Sequence, residues 1–289
     1  MIGVGEKRTN TGPDFLVVGA QRSGTSLLHK LLRSTPGIWV PPVKEVHYFD
    51  RKYAGLDWHK PKLGMHKRIR DVRTLRRRGV SFSDRMWGVR YLCLPPSDGW
   101  YRSLFKSAGN VGYFTGEITP GYGILPQEGV ERIQRVCPNV KILFLLRNPV
   151  ERTWSHIKKK RLGKASPSDL PEKVLQEMID LPDVRQCSDY RSQVSIYDTV
   201  FGSHNVSIFF FEDLLSSPDA TFKDILTTIG DFERPADDVM RRMRGVGPVN
   251  VTPHAECPEH IRTRLLRRYQ TDMRWLKLRA GRLPERWVS

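Results

Sequence analysis

Short apolar runs alternate along the chain with stretches in which apolar residues recur at helical spacing. The run Phe15-Leu16-Val17-Val18 lies between Pro13 and Gly19 and predicts a buried strand. Segments 141–146 (KILFLL) and 206–211 (VSIFFF) have the same character. Amphipathic segments typical of helices lie between and after these strands. The alternation predicts an α/β fold, in which helices flank both faces of a parallel sheet.

Two of the predicted helices have clear signals at their ends, and a third has a clear apolar face. One begins after Gly24 and ends at Pro36-Gly37, and another runs from Ser217-Pro218 to Gly230. The last is a long C-terminal helix with arginines on its outer face. Its apolar face is formed by Ile261, Leu265, Tyr269, Met273 and Leu276.

Two segments have no clean hydrophobic period. Residues 51–110 and 158–190 are therefore predicted to be irregular insertions over the sheet edge. Neither segment shows a composition shift that marks a separate domain. The length alone allows one large domain or two small ones, and we expect one domain preceded by a flexible N-terminus at residues 1–13.

Composition narrows the class of protein only partly. The 289 residues include 48 Lys and Arg against 31 Asp and Glu, so the formal net charge is +17. The hydrophobic fraction of 39% excludes a disordered basic tail. No apolar run approaches the length of a membrane span, and the N-terminus has no apolar signal segment, so we expect a cytoplasmic protein. The four cysteines are isolated from one another, so we expect no metal site. The charge favours an anionic partner of any chemistry.

A glycine-rich segment, GAQRSGTS, follows the first predicted strand and leads into the first helix. Backbone N–H groups of such a loop and the helix N-terminus can bind an anion. Thr25 occupies the position at which nucleoside-triphosphatases have lysine, and the loop instead contains Arg22. A strand–helix turn without a ligand is the alternative interpretation of this loop.

A second candidate anion site follows the strand KILFLL. Arg147 lies at the strand end, and Arg152 and Ser155 follow on adjoining turns of a helix that Pro149 can begin. Arginine binds phosphate through two nitrogens, and a serine hydroxyl can add a hydrogen bond. Arg152 is predicted to form a structural ion pair instead.

The segment KEVHYFD contains two candidate proton acceptors, Glu45 and His47. If the segment is extended, the two side chains project to one face and could both face a cleft. Either residue type can remove a proton from a nucleophile. Alternatively, both residues only pair with the neighbouring Lys44 or Arg51.

Together these motifs resemble those of sulfotransferases that use 3′-phosphoadenosine 5′-phosphosulfate (PAPS), and most of all the family containing the heparan sulfate sulfotransferases and bacterial relatives. FLVVGAQRSGTSLLHKLL is similar to their 5′-phosphosulfate loop, and LLRNPVERTWSHI to their 3′-phosphate motif. The resemblance includes KEVHYFD, GWYRSLF, GEITPGY and FFEDLLSSPDATFKDILTTIG, and covers roughly residues 14–287.

The resemblance implies a P-loop-like fold and specific residue roles. It implies Glu45 as catalytic base with His47 in support, and Arg22 as the cation that stabilises charge on the transferred group. The donor-binding residues implied are Gln21, Arg22, Ser23, Gly24, Thr25, Ser26, Arg147 and Ser155. Two departures stand out, because many relatives have lysine in place of Arg22 and the heparan enzymes have lysine in place of Ile118.

The leading hypothesis is a metal-independent sulfotransferase that moves the sulfuryl group of PAPS to a hydroxyl or amine and releases adenosine 3′,5′-bisphosphate. An acidic glycan and a small hydroxylated metabolite both fit as acceptors, and the basic clusters at 67–78, 158–164 and 241–282 are either solvated faces or a track for an acidic acceptor. A P-loop nucleotide kinase or hydrolase is the first rival, which Thr25 disfavours. A nucleic-acid-binding protein is the second, although residues 67–78 lack the aromatic residues of a stacking platform.

Overall fold

A computed structural model describes residues 12–51, 65–77, 81–162, 167–230, 232, 239–241 and 256–287. The predicted flexible N-terminus, apart from its last two residues, lies outside these ranges, as do residues 242–255 of the 241–282 cluster. Five parallel strands form one sheet in the order β2-β3-β1-β4-β5. They are β1 (Phe15–Gly19), β2 (Ile38–Trp39), β3 (Phe114–Ile118), β4 (Lys141–Leu146) and β5 (Val206–Phe210). The predicted α/β class is confirmed.

The central strand β1 is almost completely buried and packs helices on both of its faces. Phe15 and Val17 face α1 (Thr25–Arg33) and α11 (Pro218–Gly230). Leu16 and Val18 face the opposite layer, which contains α5 (Gln127–Val136) and α9 (Tyr190–Phe201). Burial on both sides explains why β1 reads as a continuous apolar run.

The sequence pattern did not reveal β2 and β3. The first has only two residues, and the second includes Gly116 and Glu117, which do not belong to an apolar run. Gly116 is needed at its position, because an added Cβ would lie 2.1 Å from Cζ of Phe15. The Phe15 ring lies over Gly116 and therefore selects a residue that weakens the sequence signal for a strand.

The prediction that residues 51–110 are irregular is wrong for residues 65–77 and 81–110. The described part of this region forms α2 (Met65–Arg77), α3 (Phe82–Cys93) and α4 (Asp98–Asn110). The side chains of Ser81 and Ser97 cap α3 and α4. Met86 and Val89 on α3 are exposed beside buried Trp87, which obscures the helical period.

The described part of residues 158–190 is also largely helical rather than irregular. A π-helical turn at Lys158–Leu162 follows α6 (Pro149–Ile157). Two short helices come next, α7 (Glu172–Asp180) and α8 (Pro182–Gln186). They pack with α6 and the C-terminal helix α12 (Glu259–Ala280) in a separate apolar cluster. Helix α10 (Phe211–Ser216) directly follows β5.

Arginines of α12 mostly contact acidic residues of neighbouring elements. Arg264 and Arg268 both bind Asp180 at the end of α7. Arg279 binds Asp198 of α9 through two nitrogens at 2.7 Å. Part of the C-terminal basic cluster therefore holds helices together.

The described residues include all four cysteines, and none of them forms a disulfide. Over the same ranges, no helix is both long enough and apolar enough to span a membrane.

Candidate active site

The chain reverses its winding direction between β1 and β4, which are neighbours in the sheet. After β1 the chain crosses toward β2, whereas after β4 it crosses toward β5 on the other side. Ligands of open α/β sheets bind outside the carboxyl ends of the strands at such a switch point. The glycine loop follows β1 and Arg147 follows β4, so both candidate anion motifs lie there.

The glycine loop has the tight geometry expected of an anion-binding turn. Arg22 and Gly24 have φ angles of 70° and 78°, in the left-handed region. Ser23 is fully buried, and its Oγ has no hydrogen-bond partner in the described structure. Thr25 is buried at the first position of α1. Gln21 and Ser26 are half-buried. The predicted loop residues thus form one short turn before a helix N-terminus.

Hydrogen bonds join the two predicted phosphate motifs. Nε and Nη2 of Arg22 donate to Oγ of Ser155 at 3.1 and 3.0 Å. Nη1 of Arg147 donates to the carbonyl oxygen of Arg22 at 3.4 Å. The Asn148 side chain caps α6 and thereby fixes the helix that carries Ser155. Residues 133 positions apart in sequence therefore form one basic cluster.

Positive charge in this cluster exceeds nearby negative charge. Burial lowers the pKa of Arg22, and repulsion from Arg147 and Arg152 lowers it further. Burial and repulsion from Arg147 also lower the pKa of Lys158. The nearby Glu151 lies 3.8 Å from Arg147 and 3.2 Å from Arg262, so one carboxylate is shared between two arginines. Such an arrangement favours binding of an anion.

Arg152 is structural, but its partners are not those predicted. The side chain is completely buried and donates to the Ser188 hydroxyl and the Val184 carbonyl oxygen. It also contacts Nδ1 of His156 at 3.3 Å. The predicted ion pair is wrong, because these partners are neutral groups and no described carboxylate pairs with Arg152. Its buried charge adds to the positive potential around Arg22.

The segment Lys44–Asp50, the catalytic loop below, contains both predicted proton acceptors. It is not extended, because Glu45 and His47 have φ angles of 65° and 56°. The two side chains nevertheless meet, with Nε2 of His47 3.1 Å from Oε2 of Glu45. Lys44 binds Oε1 of Glu45 at 2.6 Å. The predicted alternative of a Lys44 pair is therefore present alongside the contact between Glu45 and His47.

Sequence reasoning missed Asp50, the third residue of this group. Its Oδ2 lies 2.6 Å from Nδ1 of His47, so a carboxylate contacts each nitrogen of the imidazole ring. The only sign of this contact in the sequence is an acid three residues after the histidine. That spacing alone does not predict the contact, because the two side chains meet only through the left-handed turn at His47.

Electrostatics separates the roles available to Glu45 and His47. Burial alone would lower the pKa of His47, but hydrogen bonds to Asp50 and Glu45 outweigh it and raise the pKa. Burial would raise the pKa of Glu45, yet the His47 hydrogen bond and the Lys44 charge hold it below its usual range. The side chains of Glu45 and His47 are 38% and 4% exposed, so the accessible group is the ionised carboxylate.

The catalytic loop lies beside α1, the helix that begins at the glycine loop. His29, one turn after Thr25 on α1, experiences the charges of Lys44 and Glu45. Its Nε2 contacts the carbonyl oxygen of Pro41 at 3.1 Å. The helix that begins at the glycine loop therefore also borders the catalytic loop.

A sequence profile described as "Sulfotransferase family" matches residues 13–233. The chain belongs to this family. Human heparan sulfate glucosamine 3-O-sulfotransferase 6 is 28% identical over 143 residues, which are 50% of this chain and 29% of that protein. The membrane-associated sulfotransferase kil1 of Dictyostelium discoideum is 25% identical over 144 residues, 50% of this chain and 22% of that protein. The match thus spans under a third of these relatives.

Solved sulfotransferase structures share the fold of this family member. A sulfotransferase from Alicyclobacillus acidocaldarius superimposes with a TM-score of 0.60 and 22% identity, over 96% of this chain and 99% of that one. The sulfotransferase domain of the Synechococcus PCC 7002 olefin synthase gives a TM-score of 0.54 at 17% identity, over 92% and 98% of the two chains. The described residues include no group of His, Cys, Asp and Glu arranged to hold a metal ion.

Proposed function

We propose that this sulfotransferase uses PAPS as donor and transfers its sulfuryl group to a hydroxyl or amine. The observation that carries the proposal is the junction of two anion motifs at the switch point of the sheet. Arg22 of the glycine loop donates two hydrogen bonds to Ser155 of the motif after β4. One donor with anionic groups on both the 5′ and the 3′ oxygen of its ribose would suit both motifs.

The chemistry of the donor suits the residues present. The orphaned Oγ of Ser23 and the free N–H groups at the start of α1 would bind the 5′-phosphosulfate. Arg147 and Ser155 would bind the 3′-phosphate. The mutual repulsion that lowers the pKa of Arg22 would be relieved by these anionic groups. Gln21, Gly24, Thr25 and Ser26 complete the proposed donor site.

Glu45 is the proposed base. His47 cannot easily accept a substrate proton, because Glu45 and Asp50 already contact its two ring nitrogens. An imidazolium between two carboxylates would instead orient Glu45 and keep it ionised. The donor supplies an activated sulfuryl group, and Arg22 would stabilise negative charge that develops during its transfer.

The acceptor is proposed to carry negative charge near its reacting group. Lys44 and Lys67 lie beside Glu45, with Nζ of Lys67 3.3 Å from the Glu45 carbonyl oxygen. An acidic glycan has this chemistry, and the printed name of the human relative describes a heparan sulfate glucosamine as acceptor. A small hydroxylated metabolite with an acidic group fits equally.

Calorimetric titration tests the donor. Adenosine 3′,5′-bisphosphate should bind tightly without metal, whereas ATP with magnesium should give no comparable heat, because Thr25 replaces the phosphate-binding lysine of nucleoside-triphosphatases. The reverse result would favour a nucleotide kinase or hydrolase. Selective DNA binding at nanomolar concentration in a gel-shift assay would favour the nucleic-acid-binding rival.

Replacement of the base tests the chemistry. Glu45→Gln should bind the bisphosphate as the wild type does but transfer sulfuryl groups at least about 100-fold more slowly, the usual loss for a general base. Glu172→Gln, on the remote helix α7, is the matched control and should retain full turnover. A Glu45→Gln enzyme with wild-type rates would remove Glu45 as the base.

A further inference from the structure

The catalytic loop is held from behind by β3 and by the turn Pro120–Ile124 that follows it. At the end of β3, the side chain of Glu117 is buried, and the residue is 1% exposed. Its Oε2 accepts from the Tyr101 hydroxyl at 2.5 Å, and its Oε1 accepts from the Tyr122 hydroxyl at 3.0 Å. Thr119 donates to Oε1 as well. Within the described structure, only hydroxyl groups contact this carboxylate.

The Tyr122 hydroxyl connects Glu117 to the catalytic loop. While it donates to Glu117, it accepts the backbone N–H of Tyr48 at 2.8 Å. Tyr48 immediately follows His47, so this hydrogen bond fixes the peptide between His47 and Tyr48. A Cβ added to the neighbouring Gly121 would lie 2.8 Å from Oδ2 of Asp50, so the turn also packs closely on the Asp50 carboxylate.

The backbone of the catalytic loop needs such external support. Glu45 and His47 both have φ angles in the left-handed region, which residues other than glycine rarely adopt. Strained conformations persist at functional sites only where the surroundings over-determine them. The Tyr122 hydroxyl and the close packing of Gly121 provide that support from the turn that follows β3.

We propose that Glu117 and Tyr122 are positioning residues for the Glu45–His47–Asp50 group. Glu117 fixes the Tyr122 hydroxyl, which in turn holds the left-handed turn that directs His47 between its two carboxylates. Neither residue contacts substrate in this proposal. It rests on the proposed function, because it gives the buried hydroxyl network a role in orienting the base.

The pKa of His47 depends on the charges around its ring, and it can be measured without the acceptor. Asp50 and Glu45 face His47 from its own segment, and Glu117 acts on it from β3. Lys44 and Lys67 lie beyond Glu45. A turn that loosens should separate the imidazole from Asp50 and Glu45, and so lower the raised pKa of His47 toward that of an exposed histidine.

Tyr122→Phe is the decisive variant and Tyr197→Phe its matched control. Tyr197 is fully buried nearby and donates its hydroxyl to the Tyr122 carbonyl oxygen at 2.9 Å, but it has no hydrogen bond to the catalytic loop. Tyr101→Phe removes one donor to Glu117 and leaves the Tyr48 contact intact. Each variant is titrated by NMR of the histidine ring, with the His47 signal assigned from a His47→Gln spectrum.

We expect Tyr122→Phe to lower the His47 pKa by about half a unit or more and to slow sulfuryl transfer about tenfold or more, as loss of a precisely held base does. Affinity for adenosine 3′,5′-bisphosphate should stay within about twofold of the wild type, because the donor site is separate. Tyr197→Phe removes only a hydrogen bond to the Tyr122 backbone, so it should change all three quantities less than Tyr122→Phe does. Glu117→Gln retains one acceptor oxygen and should give an intermediate shift.

Equal His47 titration in Tyr122→Phe and Tyr197→Phe would overturn the positioning role. If Tyr122→Phe does not fold, Glu117→Gln decides, and an unshifted His47 pKa in that variant overturns it. Failure of the wild type to bind the bisphosphate would refute the proposed function instead. The His47 titration is independent of that result, so the two failures can be distinguished.

Discussion

Gly24→Ala should destabilise the protein and disrupt the glycine loop. The left-handed φ of 78° at Gly24 costs a residue with a Cβ about 1–2 kcal/mol. The added Cβ would also lie 2.3 Å from Cδ2 of Phe211. Overpacking of this kind costs about 1–3 kcal/mol, so the total is about 2–5 kcal/mol.

Thermal unfolding measures this loss directly. A destabilisation of this size should lower the Tm by about 3–8 °C in a chain of this length. Phe211 cannot simply move away, because the Arg147 guanidinium packs over its ring, 5.5 Å from the centroid. Adenosine 3′,5′-bisphosphate should also bind more weakly, since the loop must shift relative to Arg147.

Two further variants isolate the clash from the backbone strain. In a Phe211→Ala background, Gly24→Ala should cost only the strain of about 1–2 kcal/mol. Gly109→Ala is the control, because no atom lies within 4 Å of its added Cβ, and it should be neutral or slightly stabilising. An undiminished cost of Gly24→Ala in the Phe211→Ala background, or a Gly24→Ala variant that melts with the wild type, would refute the reasoning.

Three other outcomes are expected. Arg147→Ala should weaken bisphosphate binding about 10- to 150-fold in calorimetry, the value of a charged hydrogen bond, while a variant with unchanged affinity would remove Arg147 from the donor site. Burial lowers the pKa of His29 to about 4, so the unfolded state binds the extra proton between pH 4 and 6.5 and stability falls as pH falls. His29→Gln should reduce that slope by up to about 1.4 kcal/mol per pH unit in urea unfolding between pH 6 and 5, and an unchanged slope would contradict it. Arg152→Met should lower the unfolding free energy by about 2–4 kcal/mol, because it leaves the Val184 carbonyl oxygen unpaired and changes the packing, whereas a neutral result would show that its buried charge is dispensable.

Elements that form a continuous apolar run or a clear helical period could be predicted from the sequence. Elements whose residue types depend on their tertiary neighbours could not. Strands β1, β4 and β5 are apolar runs, and local sequence also encodes the Asn148 cap of α6 and the end of α11 at Gly230. Strand β3 was missed because Glu117, buried among tyrosine hydroxyls, reads as a surface residue. Helix α3 was missed because exposed Met86 and Val89 lie beside its buried aromatic residues.

The sequence predicts candidate site residues that lie within one short motif, but it does not predict the contacts between motifs. Arg22 and Ser155 were assigned to separate motifs, and the adjacent strands β1 and β4 bring them into contact. Asp50 could not be assigned, because its contact with His47 depends on a left-handed turn that no residue type in the segment demands. The buried, neutral surroundings of Arg152 likewise follow only from tertiary packing.

The ion pairs of α12 bear on how the protein can be divided. The family match ends at residue 233, yet α12 packs against Trp154 and Ile157 of the helix that carries Ser155. A fragment that stops at the end of the matched region would leave Asp180 and Asp198 without their arginines and expose that apolar face. The smallest autonomous folding unit is therefore larger than the region by which the family is recognised, and expression of the matched segment alone should yield an aggregation-prone product.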